Sequence, residues 1–252
     1  MITMLIGTCD SYSFLWENFV LLCNANWSVE SKKIFVSETK RAEIDGYDTH
    51  LPGKICWTNR IISALEEVET DYVFFVLEDY FLTEHITQEE IDLYIEFMEE
   101  KKANKIMIEP LSYLMKYNMK NHNKFKGRFV YKVEDYSDFI SSIQPSLWRK
   151  DYLLQLLKPE WSPWDFECTG TDLIKGKDNR VYNISGPKGM RTEKIYWNAI
   201  INPKIAETLY PEHLEKEMQK RDGKPIEGNI ISPGWPEIKK RFKLKEMGGF
   251  YK

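Results

Sequence analysis

Asp71-Tyr72-Val73-Phe74-Phe75-Val76-Leu77-Glu78-Asp79-Tyr80-Phe81 decides how this chain is read. Six apolar residues, Tyr72 to Leu77, suit a central parallel strand covered on both faces. The run ends in two adjacent carboxylates, and in open α/β sheets the carboxyl ends of the strands border the ligand crevice. A carboxylate pair at that edge can hold a divalent cation against phosphates. The competing reading is an ordinary acidic turn after a strand. Adjacent strand residues point to opposite faces, so Glu78 and Asp79 serve one site only if the chain turns there.

Outward from this strand, apolar runs alternate with amphipathic ones. Ile2 to Gly7 predicts a first strand, and Leu15, Phe19 and Leu22 recur at helical spacing over roughly 13–25. Lys33 to Ser37 predicts a second strand, and Trp57 to Val68 a helix with Ile61, Ile62, Leu65 and Val68 as its stripe. Thr87 and Glu90 have capping-box spacing ahead of a helix striped by Ile91, Tyr94, Ile95 and Met98. Lys105 to Ile108 then predicts a fourth strand. This order implies an α/β fold with a mostly parallel sheet flanked by helices. No GxGxxG or GxxxxGK[ST] is present, which disfavours dinucleotide and P-loop readings.

The second half is less regular. Asn118 to Arg128 is basic and turn-rich and predicts an exposed loop. Phe139 to Gln144 predicts a strand, Leu147 to Leu157 a helix, and Trp164 to Ile174 another helix after the break at Pro159 to Pro163. Val181 to Ile184 and Ile195 to Ile201 predict strands, and the tail from Pro211 is polar and helical in parts. The expected division is an α/β half over 1–110 and a less regular half with a C-terminal tail over 111–252. The two are read as one continuous domain.

Composition narrows the function classes. At 252 residues and 42% hydrophobic content the chain can bury a sizeable core. Its formal net charge of −4 argues against a general nucleic-acid binder. Eight Trp and fourteen Tyr lean toward a ligand cleft, because aromatic rings serve sugars and bases as platforms. Cys9, Cys23, Cys56 and Cys168 are far apart and read as reduced thiols, which predicts a cytoplasmic protein. No run approaches the roughly 20 apolar residues of a membrane span. The basic run Lys239-Lys240-Arg241-Phe242-Lys243-Leu244-Lys245 reads either as a solvated helix face or as a peripheral contact with an anionic membrane.

Three passages carry a family likeness: Thr8-Cys9-Asp10-Ser11-Tyr12, then Trp57-Thr58-Asn59-Arg60 through Leu77-Glu78-Asp79-Tyr80-Phe81-Leu82, then Gln144-Pro145-Ser146-Leu147-Trp148-Arg149-Lys150 leading into Ser162-Pro163-Trp164-Asp165-Phe166-Glu167. Over roughly 1–170 their order and separation resemble bacterial glycosyltransferases of the GT-A fold, of the kind found in surface-polysaccharide synthesis. The resemblance implies a nucleoside-diphosphate sugar as donor and a saccharide or lipid-linked saccharide as acceptor. It also implies a Mg²⁺ or Mn²⁺ ion. Such enzymes commonly carry Asp-x-Asp, whereas Glu78-Asp79-Tyr80 stands here.

Under that resemblance, Asp79 is the metal ligand or a ribose–diphosphate contact, and Glu78 is the second candidate on the donor side. Thr8, Asp10 and Tyr12 would contact the nucleoside, although Asp10 is equally suited to capping the next helix and Tyr12 to packing against it. Glu38 stands where an acid contacts the nucleoside, or is a turn acid. Arg60 would grip the diphosphate, or pair with Glu67 or Asp71. Asp165 and Glu167 lie about 200° apart on a helix, so one of them faces the cleft. The resemblance favours Glu167 as the base of an inverting transfer, with Asp165 in reserve, unless both only complement a helix dipole. Trp164 is a sugar-stacking wall or core. The alternative functions are a catalytically idle sugar- or nucleotide-binding module and, lower, a sugar nucleotidyltransferase, whose Gly-rich basic loop is absent.

Overall fold

A computed structural model of the chain describes residues 1–108, 119–185, 196–201, 206–207, 210–220 and 229–247. The first half runs β1 (Ile2–Gly7), α1 (Trp16–Asn26), β2 (Ser31–Val36), β3 (Asp48–His50), α2 (Trp57–Glu67), β4 (Tyr72–Leu77), β5 (Tyr80–Leu82), α3 (Gln88–Lys101) and β6 (Lys105–Met107). The second half adds β7 (Met119–Phe125), β8 (Arg128–Val133), β9 (Ser146–Arg149), α4 (Lys150–Leu156), α5 (Pro163–Ile174) and β10 (Val181–Ile184). It continues with β11 (Tyr196–Asn198), β12 (Ile200–Ile201), α6 (Pro211–Gln219), β13 (Ile230–Ile231) and α7 (Trp235–Phe242).

Among the described residues, nine strands form one sheet in the order β3-β2-β1-β4-β9-β6-β10-β8-β7. Only β9 and β8 run against the others, so the sheet is mostly parallel, as the alternating pattern predicts. Strand alternation splits the core in two. Met4, Ile6, Phe74 and Val76 face α1 and α3, where they meet Phe19, Tyr94 and Phe97. Leu5, Val73 and Phe75 face the opposite way, against Ile61 and Leu65 of α2, Leu153 of α4 and Phe166 of α5. Burying each such side chain contributes roughly 2 kcal/mol, so both layers are held firmly and the strand ends between them are fixed. At the carboxyl end of β1, a side chain on Gly7 would meet Leu77 Cδ2 at 3.0 Å, which accounts for the glycine there.

Four expectations are corrected. The strand expected over Phe139 to Gln144 is a turn. Its serines bond sideways instead of into a ladder: Ser141 Oγ donates to the carbonyl of Phe166 at 2.8 Å. The helix expected from Leu147 begins at Lys150, because Leu147 and Trp148 go to opposite cores with period two and form β9. That strand enters antiparallel between β4 and β6, so β4 has one parallel and one antiparallel neighbour.

The loop expected near Asn118 to Arg128 is instead a hairpin, with β7 paired to β8. Lys126 and Gly127 both take positive φ at its tip, matching the twist that tight hairpins need. β7 is an edge strand, where the charge of the exposed Lys124 blocks pairing with another chain. The strand expected over Ile195 to Ile201 is two short ones, β11 against β5 and β12 against β13. Asn118, Ile195 and the proposed division at 110–111 lie outside the described residues.

Candidate active site

β1, β2 and β4 end side by side. Thr8 N donates to the carbonyl of Val36 at 3.1 Å, and Glu78 N to that of Gly7 at 3.3 Å. The chain turns at Glu78-Asp79 before β5, meeting the condition that strand alternation set for both acids to reach one site. Ala199 N donates to the Asp79 carbonyl at 2.7 Å, and β11 pairs with β5. The C-terminal segments thereby form a second wall. Between the walls lies a cleft of about 640 Å³, a size that suits a small ligand or cofactor.

Thr8, Tyr12, Arg60, Glu78, Asp79, Trp164 and Glu167 all line this cleft. Asp10, Glu38 and Asp165 are not among its lining residues. Asp10 does not cap the following helix either, since that helix has no side-chain cap. Its carboxylate accepts from Ser37 Oγ at 3.1 Å and from the backbone N–H groups of Thr39 and Lys40 at 2.9 Å each. Partial burial raises its pKa, but the bonds from Thr39, Lys40 and Ser37 outweigh burial and hold it well below the carboxylate range. Glu38 takes the Asp10 N–H at 3.0 Å and Arg60 Nη1 at 2.7 Å. Arg60 therefore pairs with Glu38, not with Glu67 or Asp71, and the three residues brace the strand ends beneath the cleft.

Asp10→Ala is expected to lower the thermal midpoint by about 3 °C. A folded-state pKa below the unfolded one contributes stability that is complete above about pH 4 and lost as pH falls through the folded value. The variant's acid unfolding curve should accordingly be flatter than the wild type's. Circular dichroism melts from pH 2 to 7 check both.

The cleft acids are poised differently. Burial, then the adjacent Asp79 charge, push the Glu78 carboxyl well above its usual range. Asp79 is pushed up to about 7, mainly by burial, with the Glu167 charge adding to it. Burial also raises Glu167, partly offset by the Ile143 N–H, which donates to Oε1 at 2.9 Å, and by Ser142. Asp165 instead closes a capping box with Ser162 at the start of α5, which lowers its pKa and explains its position. Trp164, 60% exposed, is a wall of the cleft and not core.

Among the described residues, four that line the cleft carry a buried polar atom with no partner: Arg60 Nε, Asp79 Oδ1, Asn198 Oδ1 and Ser232 Oγ. Buried polar groups are almost always satisfied, so orphans converging on one cleft mark where a polar ligand supplies the missing bonds. Asn198, Ser232, Tyr210 and Asn229, whose amide donates to Tyr12 OH at 3.0 Å, were not legible in the sequence. They reach the cleft through long-range pairing, and no local pattern signals that.

Of the basic run read as a solvated face or a membrane contact, Lys239, Arg241 and Lys245 form ion pairs with Glu246, Glu84 and Glu17. Among the described residues no helix is long and apolar enough to cross one.

No family model and no curated protein matches the chain. Similar solved structures exist. The crystal structure of Staphylococcus aureus TarS 1-349 overlaps at a TM-score of 0.46 and 16% identity, over 72% of this chain and 57% of that one. The same fragment in complex with UDP-GlcNAc overlaps at 0.46 and 15%, over 81% and 62%. The bifunctional IspDF of Campylobacter jejuni overlaps at 0.38 and 13%, over 73% and 49%. This chain thus spans less than two thirds of each. At such identities and overlaps, the likeness leaves the reaction to be argued from the cleft.

Proposed function

We propose that this chain is a GT-A-type glycosyltransferase that moves a sugar from a nucleoside-diphosphate donor to a saccharide or lipid-linked saccharide, with inversion. The observation that carries this reading is the cleft itself. Orphaned Arg60 Nε and Asp79 Oδ1 lie in one cavity with the base candidate Glu167, whose charge reaches Asp79.

In the reaction, an acceptor hydroxyl attacks the anomeric carbon as the bond from that carbon to the diphosphate oxygen breaks. Glu167, held by Ile143 N–H, takes the hydroxyl proton. Arg60 offers its free Nε to the departing phosphates. Three carboxyl groups and one arginine line the cleft among the described residues, so a diphosphate entering alone would find a single cationic side chain there.

A Mg²⁺ or Mn²⁺ ion fits that donor set, since Glu78 and Asp79 offer hard oxygens and Asp79 Oδ1 lacks a partner. Bound there, it would neutralise charge developing on the diphosphate. No trio of His, Cys, Asp or Glu is grouped to ligate a metal among the described residues. Substrate phosphates and water would therefore complete the shell.

A thermal-shift screen of UDP, GDP, ADP, CDP and dTDP with Mn²⁺ tests the reading. One of them should raise the midpoint, because a ligand bound only by the folded state stabilises it by roughly 2.7 kcal/mol at 100 times its Kd. No shift with any nucleotide would sink the proposal.

A further inference from the structure

The turn that replaces the expected strand 139–144 holds an anomaly. Phe139 has φ 57, a left-handed conformation that costs a bulky side chain energy and is rare outside glycine and asparagine. Its ring is not buried in compensation, being 46% exposed and lining the cleft. Strain of this kind persists only where the surroundings over-determine it.

Here they do. The fully buried Lys105 ammonium donates to the carbonyls of Ser142 at 2.6 Å and Ile140 at 3.4 Å. Ser141 N donates to Thr171 Oγ1 at 3.2 Å, and Ser141 Oγ to the carbonyls of Phe166 and Glu167 at 2.8 and 3.1 Å. The same turn presents Ile143 N–H to Glu167. The segment carrying Phe139 is therefore fastened to α5, which carries Trp164 and Glu167.

Exposed aromatics are unevenly placed on this molecule. Of the four exposed large aromatic residues among those described, Phe139, Trp164 and Tyr210 line this cleft; Tyr136 does not. The same cleft is lined by Asn198 and Ser232, whose Oδ1 and Oγ are buried and without partners among the described residues. Ring faces flanked by unmet hydrogen-bonding atoms match a pyranose, which has an apolar C–H face and hydroxyl edges.

We infer that Phe139, with Trp164 and Tyr210, forms a saccharide-binding platform, and that Phe139 is a specificity-determining residue held strained at the cleft for that purpose. Only the saccharide's role as acceptor rests on the transferase reading. The platform itself does not.

The test is ligand-observed saturation-transfer NMR with a panel of glucose-, galactose- and N-acetylglucosamine-containing di- to tetrasaccharides. The best binder is then titrated into wild type, Phe139→Gly, Phe139→Tyr and Trp164→Ala. Phe139→Gly relieves the left-handed strain, so its thermal midpoint should not fall, yet saccharide affinity should drop about tenfold. Phe139→Tyr keeps a ring and should keep affinity, whereas Trp164→Ala should lose it. Phe139→Gly that melts clearly lower, or that binds the saccharide as wild type does, overturns the proposal. A wild-type protein that binds none of the panel also overturns it, whatever it does with nucleotide. Saccharide binding without binding of any nucleoside diphosphate supports the platform and overturns the transferase reading instead.

Discussion

Asp79→Asn should reduce sugar transfer by about a thousandfold or more while leaving the thermal midpoint unchanged or higher. The two halves of this result have one cause. Asp79 Oδ1 is buried without a partner, and burial together with the Glu167 charge raises its pKa to about 7. An ionised Asp79 in the empty cleft is therefore a cost to folding, which a neutral amide of the same shape removes. The same charge is what a divalent ion and the diphosphate need as the bond to the sugar breaks. Residues kept for function at the expense of stability show this opposition. A conventional core polar residue would lose stability on the same change. Differential scanning fluorimetry and a nucleotide-release assay on one preparation check both halves.

Glu167→Gln carries the second large expectation. Removing the base should cost about 10²–10⁴ in turnover with donor affinity preserved, since the amide still accepts from Ile143 N–H. Wild-type activity must require the ionised form. Burial raises the Glu167 pKa above its usual value of 4.5, so the acid limb of the rate profile should lie above that value. Activity falls as pH drops through the raised pKa, because the proton that the base must accept is already there. The groups facing Glu167 bear on that limb: Lys105 draws it down, and Ser142 and Ile143 also lower it. Near-normal turnover in Glu167→Gln would remove the base and favour a retaining mechanism, which needs none. Asp165→Asn is the internal control. Its carboxylate closes a capping box, so its loss should reach stability more than catalysis.

The central strand and its neighbours were legible because their information is local. Six apolar residues ending in acids are enough to place β4 and its edge, and helical spacing is enough for α2. The requirement that the chain turn at Glu78-Asp79 followed from strand geometry alone, and the turn is there. Asp10 and Glu38 were singled out from their places at strand ends. What those acids hold depends on partners 22 to 30 residues away, Arg60, Thr39 and Lys40, which spacing does not reveal.

The antiparallel β9 escaped notice because its two inward residues, Leu147 and Trp148, merge with the leucine pattern of α4. The far wall of the cleft was least legible. Trp197, Asn198 and Ser232 arrive through β11 pairing with β5 and through Ser232 N bonding to Ala199 O, and neither contact leaves a periodic mark. The strain at Phe139 likewise depends on Lys105 and Phe166 fixing the turn from outside it.

Whether the cleft is catalytic or only binds is decided most directly by nucleoside diphosphate release. Purified protein would be incubated with UDP-, GDP- and dTDP-sugars, with Mn²⁺ and with chelator, and freed nucleotide measured over hours. A transferase without its acceptor should hydrolyse its own donor slowly, in a manner that depends on the metal and is lost in Asp79→Asn. A protein that binds a nucleoside diphosphate yet releases none from any donor sugar, with or without saccharide added, would contradict the account and leave a binding module in its place.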